Sequence, residues 1–143
     1  MKLFTHSGTV TPQQSKTNID LSFTVPEGVD AVRVVYTYTP KTVASPAAER
    51  AVREGMAACG VTSFDLAAQL PVKNLITLSF DDPEGYRGAC HRQPNEQHIL
   101  LGTDSTPGIL NRPVTAGTWH AVLNVHYAGC TVQYTLTAEG VSA

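Results

Sequence analysis

Long apolar runs, paired cysteines and strong charge are all missing from this sequence, and each absence excludes a class of protein. No stretch approaches the roughly 20 apolar residues that a membrane-spanning helix needs, and the first ten residues lack the apolar segment of a secretory signal. The three cysteines, Cys59, Cys90 and Cys130, include no C-x-x-C pair. We expect them to be small, at least partly buried hydrophobic residues, with a Cys90–Cys130 disulfide as the alternative. The simplest interpretation is a soluble, cytoplasmic protein with reduced thiols.

Charge is sparse and nearly balanced. Charged residues make up 15% of the 143 residues, the formal net charge is −2, and the arginines form no run. Such a chain has no long-range field that attracts nucleic acid or an anionic membrane, so we expect neither as a partner. The 42% of hydrophobic residues is enough for one globular core. We therefore expect a single domain over residues 1–143.

Strict alternation of apolar and polar residues predicts a mainly β protein. The alternation marks strands because successive side chains of a strand point to opposite faces. The segment around Pro26–Gly28 is a short link between two strands and predicts that they form an antiparallel pair. Short strands separated by turns are typical of an antiparallel, jelly-roll-like β-sandwich. The predicted strands are residues 2–10, 19–25, 31–39, 75–80, 98–102, 118–127 and 130–137.

One inserted α-helix is predicted at about residues 46–59. Ser45 is a suitable N-cap and Pro46 suits the first helical position. Gly60 can end the helix in a left-handed conformation. Four residues at helical spacing form a narrow apolar stripe that we expect to cover a sheet edge or face: Ala48, Val52, Met56 and Cys59.

The stretch NLITLSFDDPEGYRG, residues 74–88, joins an alternating strand to an acidic corner. Proline at position 83 ends the strand, and the charged turn that follows can present side chains. The carboxylates could serve a calcium ion with backbone carbonyls; alternatively, Asp81 or Asp82 accepts turn N–H groups and pairs with Arg87 or Arg92. Tyr86 could stack on a ligand. The candidate ligand-binding residues are Asp81, Asp82, Glu84, Tyr86, Arg87, His91 and Arg92.

No motif for metal or nucleophilic chemistry is found. His120 and His126 share one strand face, but six residues at about 3.3 Å each separate them by roughly 20 Å. His91 and His98 are seven residues apart, and neither H-x-H nor H-E-x-x-H occurs. No G-x-S-x-G elbow or glycine-rich phosphate loop is present either. We therefore predict no metal site, no cofactor and no catalytic residue.

Three short motifs carry a family resemblance: D-P-x-G-x-R-G at residues 82–88, T-P-G at 106–108 and G-T-W at 117–119. In this order they resemble the N-terminal β-sandwich domain that precedes the catalytic domain in PHP-type metallohydrolases of the CehA/McbA group. The resemblance implies an accessory β-sandwich without phosphoesterase activity, because the metal-binding motifs of the catalytic domain are missing here.

The sequence leaves three functional hypotheses, in this order. The first is a non-catalytic accessory or protein-interaction module that binds another protein or a second copy of itself. The second is a carbohydrate or small-ligand binding domain that uses the corner at residues 81–92. The third is a hydrolase with the acidic corner as its general acid and base. A sugar-binding site should show Tyr86 exposed beside a groove with Arg87 or Asp82.

Overall fold

The computed structural model describes residues 1–43, 46–70, 72–91 and 94–142. It is mainly β, with ten strands and one α-helix in this part of the chain. The strands are β1 (Lys2–Val10), β2 (Thr17–Val25), β3 (Ala31–Thr39), β4 (Thr42–Val43), β5 (Val72–Lys73), β6 (Leu75–Asp82), β7 (Gly85–Cys90), β8 (Gln97–Leu101), β9 (Gly117–Tyr127) and β10 (Val132–Val141). The helix α1 is Pro46–Ala58, and short 3₁₀ turns lie at Pro12–Gln14 and Ala67–Gln69.

Eight of these strands form two antiparallel four-stranded sheets. Sheet I has the order β1-β10-β3-β8 and sheet II the order β2-β9-β6-β7, while β4 and β5 form a separate two-stranded ribbon. All pairings are antiparallel. A β-sandwich with one helix is therefore confirmed, and the jelly-roll connectivity stays a prediction.

The core lies between the two sheets and is built from the predicted inward faces. Tyr36 and Tyr38 of β3 cross the core and donate hydrogen bonds to the carbonyls of Ile76 and Asn74, both at 3.1 Å. These bonds tie sheet I to the start of β6 in sheet II. The fully buried core side chains with the largest volumes include Trp119, Tyr36, Phe80, Ile76, Leu78, Ile99, Leu101, Leu123 and Leu136.

The predicted pairing of the second and third strands is wrong. Thr17–Val25 pairs with β9 in sheet II, whereas Ala31–Thr39 lies between β10 and β8 in sheet I. The link at residues 26–30 therefore crosses from one sheet to the other. Both strands bury one apolar face, and strands in different sheets on either side of the core satisfy that pattern as well as strands lying side by side.

The helix is confirmed, with an end that the sequence specifies. Gly60 has φ +77°. Its N–H donates to the Ala57 carbonyl at 3.0 Å, and the Val61 N–H donates to the Met56 carbonyl at 2.8 Å. This pair of bonds is the Schellman motif, which satisfies the last carbonyls of a helix.

The predicted N-cap of the helix, Ser45, lies outside the described residues. Of the predicted stripe, Ala48 is buried, Val52 and Met56 are half-buried and Cys59 is exposed.

All three cysteines are free thiols. Cys90 is buried and Cys130 is half-buried, as expected, but Cys59 is exposed because it follows the last turn of the helix. Burial raises the pKa of the Cys90 thiol. The alternative Cys90–Cys130 disulfide is not formed. No helix in the described ranges is long and apolar enough to cross a bilayer.

Candidate functional site

The acidic corner is the turn of a β-hairpin. Strand β6 continues to Asp82, two residues beyond its predicted end, and returns as β7, which the sequence pattern identified only as a turn. Asp82 Oδ1 accepts the Glu84 N–H at 2.8 Å, the bond that aspartate commonly makes in turns. Gly85 has φ +111°, a conformation that glycine adopts without strain. The corner is therefore a closed hairpin rather than an open loop.

Asp82 is the centre of a buried ion-pair cluster. Its carboxylate accepts a hydrogen bond from Arg87 Nη1 at 3.1 Å, and neither side chain is exposed to solvent. Arg112 Nη2 donates to both carboxylate oxygens, at 2.9 and 3.0 Å, from a position that is about one quarter exposed (26%). Two guanidinium groups on one carboxylate compensate the cost of burying it. The expected pairing of Asp82 with Arg87 is thus observed, and Arg112 is a partner that the sequence did not predict.

Arg87 holds the hairpin against the loop that follows β8. Its Nη groups donate to the carbonyls of Pro113 at 3.2 Å, Gly102 at 3.1 Å and Arg112. The guanidinium also lies over the Trp119 ring, 5.7 Å from its centroid. Burial lowers the pKa of Arg87, and the hydrogen bond and charge of Asp82 oppose that shift. The sequence placed Arg87 in an exposed turn, whereas its side chain is fully buried and donates to Asp82 and to three carbonyls of the loop.

The remaining corner residues point outwards. Tyr86 is 58% exposed and the Glu84 side chain is 58% exposed. Asp81 is half-buried and His91 is exposed, while Arg92 lies outside the described residues. Asp82 and Arg87 therefore differ from the other candidate residues in their burial. They are bound within the protein, and Tyr86, Glu84 and His91 are the side chains that solvent reaches.

Tyr86 and His91 line a shallow groove on the outer face of sheet II. The groove has a volume of about 350 Å³, at the small end of the roughly 300–1,000 Å³ range of ligand pockets. Side chains from all four strands of sheet II line it: Asn18 from β2, Asn124 and His126 from β9, Thr77 and Ser79 from β6, and Tyr86 and Ala89 from β7, with His91 directly after that strand.

The strand register brings these side chains into two neighbouring rows on one face of sheet II. Asn18 lies opposite Asn124, and Asn124 lies opposite Thr77. Ser79 lies opposite Ala89 on the edge strand. Residues paired directly across an antiparallel sheet share a face. The groove is therefore a consequence of pairing, and no local motif in the sequence marks it.

Two hydrogen bonds within the groove fix four of its polar side chains. Asn124 Nδ2 donates to Ser79 Oγ at 3.2 Å. Thr77 Oγ1 and His126 Nε2 are 2.9 Å apart, and the imidazole tautomer decides which atom donates. Each of these groups keeps a free donor or acceptor after its internal bond, because amides and hydroxyls have several. The described lining contains no Asp, Glu, Lys or Arg.

A second cavity, of about 170 Å³, lies at the opposite end of β6. Tyr38, Lys41, Lys73 and Leu75 are among its lining residues, with Thr42, Asn74 and Asn95 completing the wall. The Lys41 ammonium nitrogen sits 3.3 Å from the centroid of the Tyr38 ring. Burial lowers the pKa of Lys41 to about 8. This cavity is about seven residues of β6 away from the corner, so the two features are separate sites.

The histidines make contacts with individual neighbours. His120 Nδ1 lies 2.9 Å from Asp20 Oδ1, and His98 Nε2 lies 2.7 Å from Glu96 Oε1. His6 Nε2 lies 3.1 Å from the Tyr134 hydroxyl. Across the described ranges, no three His, Cys, Asp or Glu side chains come together as a metal shell requires.

No protein-family model and no curated protein sequence matches this chain. The resemblance to the accessory domains of the CehA/McbA group therefore stays a prediction. What the structure adds is the role of its first motif: the aspartate and arginine of D-P-x-G-x-R-G are the buried pair Asp82 and Arg87.

Proposed function

We propose that this protein is a non-enzymatic β-sandwich module that binds a neutral, hydroxyl-rich ligand, such as one sugar unit, in the groove on sheet II. The observation that carries the proposal is Tyr86, a large aromatic side chain that is 58% exposed at the edge of a polar groove. An exposed aromatic ring offers an apolar platform at low entropic cost. A sugar ring has a matching C–H face and a rim of hydroxyl groups.

The polar lining supports an uncharged ligand. Asn18, Asn124 and Ser79 supply amide and hydroxyl groups that both donate and accept hydrogen bonds, while the buried Thr77 holds His126. No charged side chain among the described lining residues would compensate an anionic or cationic ligand. Alternating donors and acceptors beside an aromatic ring are what a saccharide's hydroxyl groups and C–H face require.

The same lining favours binding over hydrolysis. Glycoside hydrolysis uses two carboxylates on either side of the scissile bond, and the described groove residues include neither Asp nor Glu. Asp82, the most deeply placed acid of the corner, already accepts hydrogen bonds from two arginines and one backbone N–H. The groove is also open, so water is not excluded from it as in an active-site cleft.

The accessory or protein-interaction role expected from the sequence stays a prediction. The large exposed apolar side chains that could serve it are distributed over separate elements of the fold. Val61 follows the helix, Leu75 begins β6 and Leu110 lies in the loop before β9. Tyr86, by contrast, is a large exposed side chain that lines the groove on sheet II.

A panel of neutral mono- and oligosaccharides, measured by titration calorimetry or on a glycan array, tests the proposal. We expect at least one sugar to bind with a Kd of about 0.1–1 mM, as a shallow groove permits. The variant Tyr86→Ala should abolish this binding without unfolding the protein. The matched control is Gln133→Ala, which removes an exposed side chain from β10 in sheet I. Binding that survives in Tyr86→Ala would overturn the proposal.

A further inference from the structure

The cavity at the start of β6 is lined by two lysines and by apolar surface. The Tyr38 ring and Leu75 form apolar walls, and Lys41 and Lys73 both line the same space. Thr42, the neighbour of Lys41 in the chain, pairs with Lys73 across the β4–β5 ribbon. Neither lysine has an ion-pair partner within the described part of the chain.

The position of Lys41 is fixed by the structure around it. Its carbonyl accepts the Asn74 N–H at 2.9 Å, which joins the chain before β4 to the start of β6. Its ammonium nitrogen lies over the face of Tyr38, whose hydroxyl is bonded to the Asn74 carbonyl. Asn74 is itself buried and bonded to Pro40 and Gly129. The side chain thus emerges from a rigid anchor into the cavity.

We propose that this cavity is a covalent binding site in which the Lys41 amine forms a Schiff base with a small oxo acid, whose anionic group pairs with Lys73. A lysine becomes a nucleophile when it is desolvated, and Lys41 is half-buried at the cavity wall, with its amino group against the Tyr38 ring. The volume of about 170 Å³ equals that of roughly five to six water molecules at about 30 Å³ each. It fits a molecule of a few non-hydrogen atoms.

The lowered pKa of Lys41, about 8 against an ordinary value of 10.5, supports this chemistry. Desolvation favours the neutral amine, and the contact with the Tyr38 ring works in the opposite direction because it stabilises the ammonium form. The other titratable groups that line the cavity are Lys73 and the Tyr38 phenol. Near neutral pH the neutral fraction of Lys41 is roughly two orders of magnitude above that of an ordinary lysine.

The reaction balances without an oxidant or a cofactor. The lone pair of the neutral Lys41 Nζ attacks the carbonyl carbon, and the carbonyl oxygen takes up a proton to give a carbinolamine. Loss of one water molecule then forms the carbon–nitrogen double bond. The anionic group of the oxo acid keeps its charge and lies against the Lys73 ammonium. No group is transferred and nothing is reduced, so the site captures a carbonyl compound reversibly.

Reductive trapping on the intact protein tests the proposal. The protein is incubated with glyoxylate and sodium cyanoborohydride, and modified lysines are located by peptide mass spectrometry. We expect the adduct to form on Lys41 at least ten times faster than on Lys2 or Lys16, which lie on exposed positions. The rate at Lys41 should rise with pH to a plateau above about pH 8. Equal rates at all three lysines would overturn the proposal.

A matched pair of probes tests the anionic part. Acetaldehyde has the same reactive carbonyl type but no carboxylate, so Lys41 should prefer glyoxylate over it. The variant Lys73→Gln should remove that preference and leave trapping of acetaldehyde by Lys41 unchanged. A preference that persists in Lys73→Gln would overturn the role of Lys73. Lys41→Arg, which keeps a positive charge near Tyr38, should eliminate the adduct at this position while circular dichroism shows an intact fold.

Discussion

Arg87 Nη1 donates to Asp82 Oδ2 at 3.1 Å in a place where neither side chain contacts solvent. This pair joins the β6–β7 hairpin to the loop between β8 and β9, because the same guanidinium also bonds to the carbonyls of Gly102 and Pro113. Asp82 and Arg87 therefore stabilise the fold of the corner and are not available to a ligand. The surface left for a ligand is the neighbouring groove on sheet II.

Asp82→Asn should strongly destabilise the protein. The substitution keeps the shape of the side chain and the acceptor for the Glu84 N–H, but it leaves the buried guanidinium of Arg87 without a counter-charge. Loss of one partner of a buried pair typically costs about 3–5 kcal/mol. Urea denaturation followed by circular dichroism measures the free energy of unfolding. The control Asp81→Asn, at a half-buried position, should change it by about 0.5 kcal/mol or less; equal losses in both variants would contradict the structural role of Asp82.

Gly88→Ala and Gly85→Ala should differ sharply although both glycines have positive φ, +141° and +111°. A methyl group at Gly85 meets nothing within 4 Å, so only backbone strain of about 1–2 kcal/mol is expected. At Gly88 the methyl group would collide with the backbone of Gly108 and Ile109, where β7 bridges to the loop. We expect the melting temperature of Gly88→Ala to fall at least twice as far as that of Gly85→Ala. Similar shifts would show that the loop can move away.

Alkaline pH should lower the free energy of unfolding because of two buried phenols in β3, those of Tyr36 and Tyr38. Burial raises the pKa of Tyr36 and of Tyr38 above the ordinary value of 10.0. Above about pH 10 the unfolded chain loses these phenolic protons while the folded protein retains them. The stabilisation is therefore complete below pH 10 and is lost as the pH rises towards the folded pKa values.

The variant Tyr36→Phe isolates this effect. It removes one of the shifted phenols and also the hydrogen bond to the Ile76 carbonyl, which should cost about 1 kcal/mol at neutral pH. The decline of unfolding free energy between pH 10 and 11.5 should then be shallower than in the wild-type protein. Urea titrations across this range provide the measurement. An unchanged slope would mean that Tyr36 ionises normally in the folded state.

Local patterns in the sequence predicted most strands and the helix, but they did not predict which strands pair with each other. Alternation located Ala31–Thr39 and Gly117–Tyr127 closely because each buries a continuous apolar face. Pro46 and Gly60 bounded the helix because their backbone preferences act locally. The wrong pairing of β2 with β3 shows the limit: the same alternation fits a neighbour in the sheet or a face across the core.

The candidate site required information that only the folded chain contains. Arg112 lies 30 residues from Asp82 in sequence, and nothing in its surroundings marks it as a buried partner. Asn18 and Asn124 have the appearance of ordinary solvent-facing residues until the register places them side by side. Tyr86 and His91 were the groove residues already among the sequence candidates, Tyr86 because an exposed aromatic side chain can stack on a ligand.

The most direct test of the groove is a titration of ¹⁵N-labelled protein with the best-binding neutral saccharide, monitored by NMR. We predict that amide and side-chain shifts will change at Asn18, Ser79, Tyr86 and Asn124, and that Lys41 and Lys73 will remain unaffected. The Tyr86→Ala protein should keep the wild-type spectrum outside the groove and show no saturable changes. Shifts confined to other surfaces, or no shifts with any sugar of the panel, would contradict a saccharide-binding groove on sheet II.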